Sequence, residues 1–194
     1  MVESLKALFK KTILFDWYRK IRPSPGQNIK QAAVKEYAAR FGTPILIETG
    51  TYYGDMIEAM KKEFRTLYSI ELEPQLYARA KKRLAKYQNI KIINGDSAEK
   101  LPEILETINE KCLFWLDGHY SGAETAKGNL KTPIIQELKT IFNHQIKDHV
   151  ILIDDARCFN GKNDYPTIKK LKEYVMRKSQ YKNFEIKDDI IRIH

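Results

Sequence analysis

The sequence predicts a doubly wound α/β domain, and three observations carry that prediction. Short apolar runs alternate with amphipathic segments from Pro44 onward. The first run, 45–49, leads through Glu48 into a turn bracketed by Gly50 and Gly54. The last two runs, 183–187 and 190–193, are separated only by Asp188-Asp189. Such alternation gives a mainly parallel sheet with helices on both faces, here of seven strands. The two-residue link makes the final pair an antiparallel hairpin at the sheet edge.

Taken in order, residues 3–21 set Leu5, Leu8, Phe9, Ile13 and Trp17 at helical intervals, with Lys6, Lys10, Lys11, Arg19 and Lys20 mostly elsewhere. Pro23-Ser24-Pro25-Gly26 ends this helix, and a second, about 28–41, closes at Gly42, a plausible residue just past a helix end. Strand 45–49 is followed by a helix over 54–64, and strand 66–71 by a helix opening at Pro74, whose ring suits a first helical turn. Strand 90–94 precedes a short helix near 99–109. Strand 112–117 precedes a helix started by Thr132 as cap and Pro133 as first residue. Strand 149–154 and a helix over 166–179 complete the alternation. The division expected is a basic helical extension, 1–43, and an α/β domain, 44–194.

At 194 residues, 43% apolar and 30% charged, the chain can bury one full core. Its net charge of +9 is uneven, because residues 1–43 hold nine Lys/Arg against three Asp/Glu. A basic arm favours anionic partners. The competing readings are a solvated face, packing on the domain or on a twin subunit, and contact with a membrane surface. No apolar run reaches the length of a membrane span, and the N-terminal stretch lacks a secretory h-region. Cys112 and Cys158 lie outside any metal-type spacing and are expected as buried free thiols, which fits a cytoplasmic protein.

Ligands of open α/β sheets sit beyond the carboxyl ends of the strands. All five strands of the alternating region end in acid: Glu48, Glu71, Asp96 followed by Ser97, Asp117 followed by Gly118-His119, and Asp154-Asp155. A single carboxylate at such a position often only caps the next helix, but five point to a site. Glu71 is spaced to accept from both hydroxyls of a ribose. A dinucleotide would want Gly-x-Gly-x-x-Gly, because pyrophosphate presses on the backbone. Tyr52 stands where a middle glycine would be, which favours a phosphate-free adenosine carrying an amino acid. Glu48 could help hold that ligand's ammonium, directly or through water.

These motifs resemble the class I S-adenosylmethionine-dependent methyltransferases, with their Rossmann-like fold, over residues 44–194. Glu48-Thr-Gly50-Thr51-Tyr52-Tyr-Gly54 resembles the first motif, Ser69-Ile-Glu71 the second and Gly95-Asp96-Ser97 the third. The resemblance implies that Glu48 and the Gly50, Thr51, Tyr52 and Gly54 turn line the methionine end, Glu71 the ribose, and Asp96 with Ser97 the adenine. Asp117 would border the cofactor. Phe114-Trp-Leu-Asp117-Gly-His119-Tyr and Ile153-Asp154-Asp155 are similar to the macrocin O-methyltransferase type, which implies Mg²⁺ on Asp117, Asp154 and Asp155. Clustered carboxylates repel unless a hard cation joins them. Such an ion would bind a sugar-like diol and acidify the hydroxyl to be methylated.

The proton of that hydroxyl needs a base, and His119 and Asp117 compete for the role. Ser121–Gly128 and Arg157–Tyr165, with Arg157, Asn160 and Asp164, are candidate acceptor loops or plain surface. The expected partner is therefore a small-molecule or glycan acceptor, with a homo-oligomer through the N-terminal helices also open. Two rivals stand beside this reading. One is an NAD-dependent oxidoreductase, disfavoured by the turn. The other is a nucleic-acid methyltransferase or binding module using the basic leader, and strand 4 lacks the Asn/Asp-Pro-Pro-Tyr/Phe motif often found in methyltransferases acting on bases.

Overall fold

A computed structural model describes residues 25–118, 132–178 and 181–194. The expected leader helix 3–21, His119 and the loop Ser121–Gly128 lie outside the described residues.

The elements are α1 (Gln27–Phe41), β1 (Ile45–Thr49), α2 (Asp55–Ala59), β2 (Thr66–Glu71), α3 (Pro74–Leu84), β3 (Ile90–Asn94) and α4 (Ser97–Leu105), then β4 (Cys112–Leu116), α5 (Ile134–Asn143), β5 (Val150–Ile153), a 3₁₀ turn (Ala156–Cys158), α6 (Ile168–Met176), β6 (Phe184–Lys187) and β7 (Ile190–Ile193). They build one seven-stranded sheet in the order β3-β2-β1-β4-β5-β7-β6. The first five strands pair in parallel, and β7 runs antiparallel to both β5 and β6. This is the Rossmann-like sheet with a terminal hairpin that the residue pattern predicts. Both hairpin residues, Asp188 and Asp189, take positive φ (53° and 60°), as the turn that matches strand twist requires.

The central strands are buried end to end because helices cover both faces. On one face Ile45, Ile47, Phe114 and Leu116 meet α4, α5 and α6 through Leu101, Leu138 and Leu171. On the other, Leu46, Leu113, Trp115 and Leu152 meet α1, α2 and α3 through Val34, Tyr37, Ile57 and Leu84. Alternate residues of one strand thus feed opposite cores. Helix α1, grouped by the sequence with the basic extension, packs within this second core. Cys112 is buried and Cys158 half-buried, and both are free thiols. No described helix is long and apolar enough to cross a membrane.

Element edges shift where capping or a turn decides them. The helix after β1 stops at Ala59, and Glu63 then closes a tight turn on Met60 (2.9 Å). Helix α4 begins at Ser97 because Asp96 accepts the Ala98 amide at 2.8 Å. Helix α5 begins at Ile134, one residue later than Pro133, with Thr132 Oγ1 facing the Ile134 amide at 3.4 Å. Gly42 ends α1 in the left-handed conformation, as its position predicts.

Candidate active site at the β1 and β4 strand ends

The strand order reverses between β1 and β4, and an open parallel sheet forms its crevice at such a reversal. Just past the strands the ladder continues by one residue. The amides of Gly50, Asp117, Asp154 and Gly95 donate to Ile70, Thr49, Leu116 and Glu71 at 2.9–3.0 Å. The predicted residues therefore emerge level with one another along one edge.

Gly50 lies where β1 leaves the sheet, with φ +86°. A Cβ placed there would stand 2.8 Å from the carbonyl carbon of Asp117 and closer still to its oxygen. Only glycine lets the turn pass this close to the β4 end. Tyr52 also takes positive φ (50°), the conformation a glycine would adopt, and thereby keeps the turn's path with a side chain in place. Its amide donates to Glu71 Oε2 at 2.7 Å, and the Glu73 amide donates to Glu71 Oε1 at 2.9 Å. Each oxygen of Glu71 is thus oriented by one backbone N–H and retains acceptor capacity. Burial, chiefly, holds this carboxyl above its ordinary range.

Glu48 lies beneath the turn, 1% exposed. Ser69 Oγ donates to it at 2.5 Å, and Thr51 and Ser69 share a hydrogen bond at 2.6 Å. Burial pushes the Glu48 carboxyl well above the usual range, and repulsion from Asp117 and Glu71 adds to that. On the neighbouring side Ser97 donates to Glu137 Oε1 at 2.6 Å, and burial pushes this α5 carboxyl up to about 7. Asp96 caps α4 and Ser97 faces Glu137, so both are committed within the structure as well as standing at the β3 edge, next to Glu71.

At the end of β5, Asp154 and Asp155 meet a cation that the sequence reading missed. The ammonium of Lys30, from the first turn of α1, donates to Asp154 Oδ2 and stands 3.7 Å from Asp155 Oδ1. The other Asp154 oxygen accepts the Asp155 amide at 2.8 Å, and Arg157 pairs with Asp155 at 2.8 Å and with Asp189. Burial, then Asp117 and Asp155, raise the Asp154 carboxyl, while Lys30 opposes the rise. Burial works against the Lys30 charge, yet attraction to Asp154, Asp117 and Asp155 leaves its pKa raised. Among the described residues no three His, Cys, Asp or Glu groups are arranged to hold a metal ion. Mg²⁺ on Asp117, Asp154 and Asp155 would require Lys30 to leave Asp154.

Of the candidate acceptor residues after β5, Arg157 is tied to aspartates and Asn160 accepts the Lys162 amide at 3.0 Å. Asp164 is exposed. Tyr165 is a further neighbour: burial raises its hydroxyl, and Asp155 and Asp117 both act on it. Lys30 and Glu137 left a sequence signal. Lys30 continues the apolar stripe Ala33, Val34, Tyr37 and Ala38 of α1, and Glu137 sits in the stripe Ile134, Leu138 and Ile141 of α5. A charge within an apolar stripe is buried on purpose or not at all.

No family model and no curated protein matches the chain by sequence. Solved structures do match in fold. The S-adenosylhomocysteine-bound methyltransferase PaMTH1 from Podospora anserina superposes with a TM-score of 0.63 at 16% identity, covering 100% of this chain and 94% of that one. A putative caffeoyl-CoA O-methyltransferase from Staphylococcus aureus gives 0.62 at 13%, covering 98% and 96%. The O-methyltransferase TomG from Streptomyces achromogenes, in complex with S-adenosylmethionine, gives 0.63 at 14%, covering 88% and 80%. The chain shares the Rossmann-like fold of these methyltransferases.

Proposed function

We propose that the chain is an S-adenosylmethionine-dependent methyltransferase acting on oxygen of a sugar-like or polyhydroxy acceptor. One observation carries the cofactor class: at the strand-order reversal the glycine turn is closed by acid. The Tyr52 amide, which a pyrophosphate would need, is taken by Glu71, and Glu48, Asp117 and Glu137 stand close by. With that amide engaged and acid lining the turn, the crevice suits a phosphate-free nucleoside over a pyrophosphate, which sets the NAD reading behind. When bound, S-adenosylmethionine supplies an electrophilic methyl group on a cationic sulfur. Glu71 would accept from the ribose hydroxyls, Glu48 would sit under the ammonium end, and Asp96 would border the adenine. The turn residues Gly50, Thr51, Tyr52 and Gly54 would hold the ligand against β4.

Oxygen as the acceptor atom is supported by two of the fold neighbours, which are named O-methyltransferases. The sugar-like acceptor follows the macrocin-type resemblance of Asp117-Gly118-His119 and Asp154-Asp155. Asp117 or His119 would take the hydroxyl proton. Magnesium, which the same resemblance implies, competes with Lys30 for Asp154, and no step here depends on it. The test is a screen of glycosides and diols with methyl-labelled donor. Label appearing on a hydroxyl, and lost in Asp117→Asn or His119→Ala with cofactor affinity retained, supports the reading. Label transferred only to RNA or DNA refutes the acceptor class.

A further inference from the structure

Lys30 occupies a position where a helix ordinarily buries an apolar side chain. It is 9% exposed, in register with Ala33, Val34, Tyr37 and Ala38 on the face of α1 that packs against the sheet. Burying an ammonium is costly unless it is paired. Its pairing is specific: one hydrogen bond to Asp154, whose side chain is 1% exposed, and Asp155 at 3.7 Å. Asp117 belongs to the same charge group, one strand over, since the Asp154 amide donates to Leu116 at 3.0 Å. Arg157 balances Asp155 from the outer side. Asp154 and Asp155 at the β5 end therefore already hold a positive charge delivered from a different element, and Asp117 acts on that charge from the neighbouring strand end.

We propose that Lys30 is the resident cation of the acceptor side, doing for Asp117, Asp154 and Asp155 what a divalent ion would do. It is a positioning residue. It offsets the charge of Asp154 and ties α1 to the end of β5, with Asp155 3.7 Å from its ammonium. Together with Arg157 it supplies positive charge to these carboxylates without added metal. Its bearing on the acceptor hydroxyl rests on the methyltransferase reading; the exchange of ammonium for metal does not.

The two cations are mutually exclusive at Asp154, so removing one should admit the other. The experiment titrates Mn²⁺ by calorimetry into the full chain as wild type, Lys30→Ala and Lys30→Met, the last retaining much of the apolar stem. Thermal unfolding with and without Mg²⁺ runs in parallel. Wild type should bind Mn²⁺ weakly or not at all. Either variant should bind it about tenfold or more tightly, or be refolded by it, and the gain should vanish when Asp154→Asn is added. Wild type binding Mn²⁺ as tightly as the variants overturns the proposal, as do variants that divalent cations neither bind nor refold. No step of this test uses methyl transfer, so its failure leaves the cofactor reading standing. Failure of cofactor binding would equally leave this result intact.

Discussion

Substituting alanine at Gly50 and, separately, at Gly42 isolates what the turn after β1 requires. Both glycines hold positive φ, +86° and +61°. A Cβ at Gly42 meets nothing within 4 Å, whereas at Gly50 it stands 2.8 Å from the Asp117 carbonyl carbon. Gly42→Ala should therefore cost only the left-handed backbone penalty, about 1 kcal/mol. Gly50→Ala adds an overlap of roughly one ångström with the Asp117 carbonyl oxygen, and that peptide cannot yield freely because the Asp117 amide is bonded to Thr49 at 3.0 Å. Overpacking of that kind costs about 1–3 kcal/mol more. Urea unfolding reads the difference. With a slope of about 2 kcal/mol per molar, the midpoint of Gly50→Ala should lie about 1 M below that of Gly42→Ala. The same displacement moves β4 away from the turn, so S-adenosylhomocysteine affinity should collapse in Gly50→Ala and hold in Gly42→Ala. Equal midpoints for the two variants would refute the crowding argument.

Two other perturbations read the buried polar groups. Ser69→Ala removes the donor to Glu48 and the partner of Thr51, both buried, and should lower stability by about 1–3 kcal/mol in denaturant titration; a loss below about 0.5 kcal/mol would be within surface-substitution range and would contradict the assigned bonds. At the opposite sheet edge, His149 Nδ1 accepts the Cys112 amide at 3.1 Å, which places its proton on Nε2, facing His144 at 2.8 Å. Burial, then His144, depresses the His149 pKa to about 4. The unfolded chain takes up that proton below about pH 6.5 while the folded chain does not. Stability should thus fall from pH 7 toward pH 4, by about 3 kcal/mol more in wild type than in His149→Gln. Parallel curves for the two proteins would contradict the pairing.

The fold was legible because strand burial on both faces writes continuous apolar runs, and Asp188-Asp189 can hardly link strands except as a tight hairpin. Boundaries were less legible. Whether α4 opens at Ser97 or two residues later depends on Asp96 turning its side chain onto Ala98, a choice that hydrophobic spacing does not record. At the candidate site, Glu48, Glu71 and Asp117 are legible because each stands at the carboxyl end of a strand. Tyr52 read as a departure from a glycine pattern; the structure resolves it as the same left-handed backbone, held by Glu71. Lys30 was missed because it lies some 125 residues from its partners Asp154 and Asp155. Its helix was grouped with a basic leader, where one more lysine carried no information. The stripe of α1, read position by position, would have singled it out.

On the proposed reading, Glu71 and the closed glycine turn hold a phosphate-free adenosine ligand. Calorimetry of S-adenosylhomocysteine and NAD against wild type and Glu71→Gln tests it. The account predicts one S-adenosylhomocysteine per chain, affinity reduced about tenfold or more in Glu71→Gln through loss of a charge-assisted acceptor, and no heat with NAD. Saturable NAD binding without S-adenosylhomocysteine binding, or equal affinity in Glu71→Gln, would contradict it.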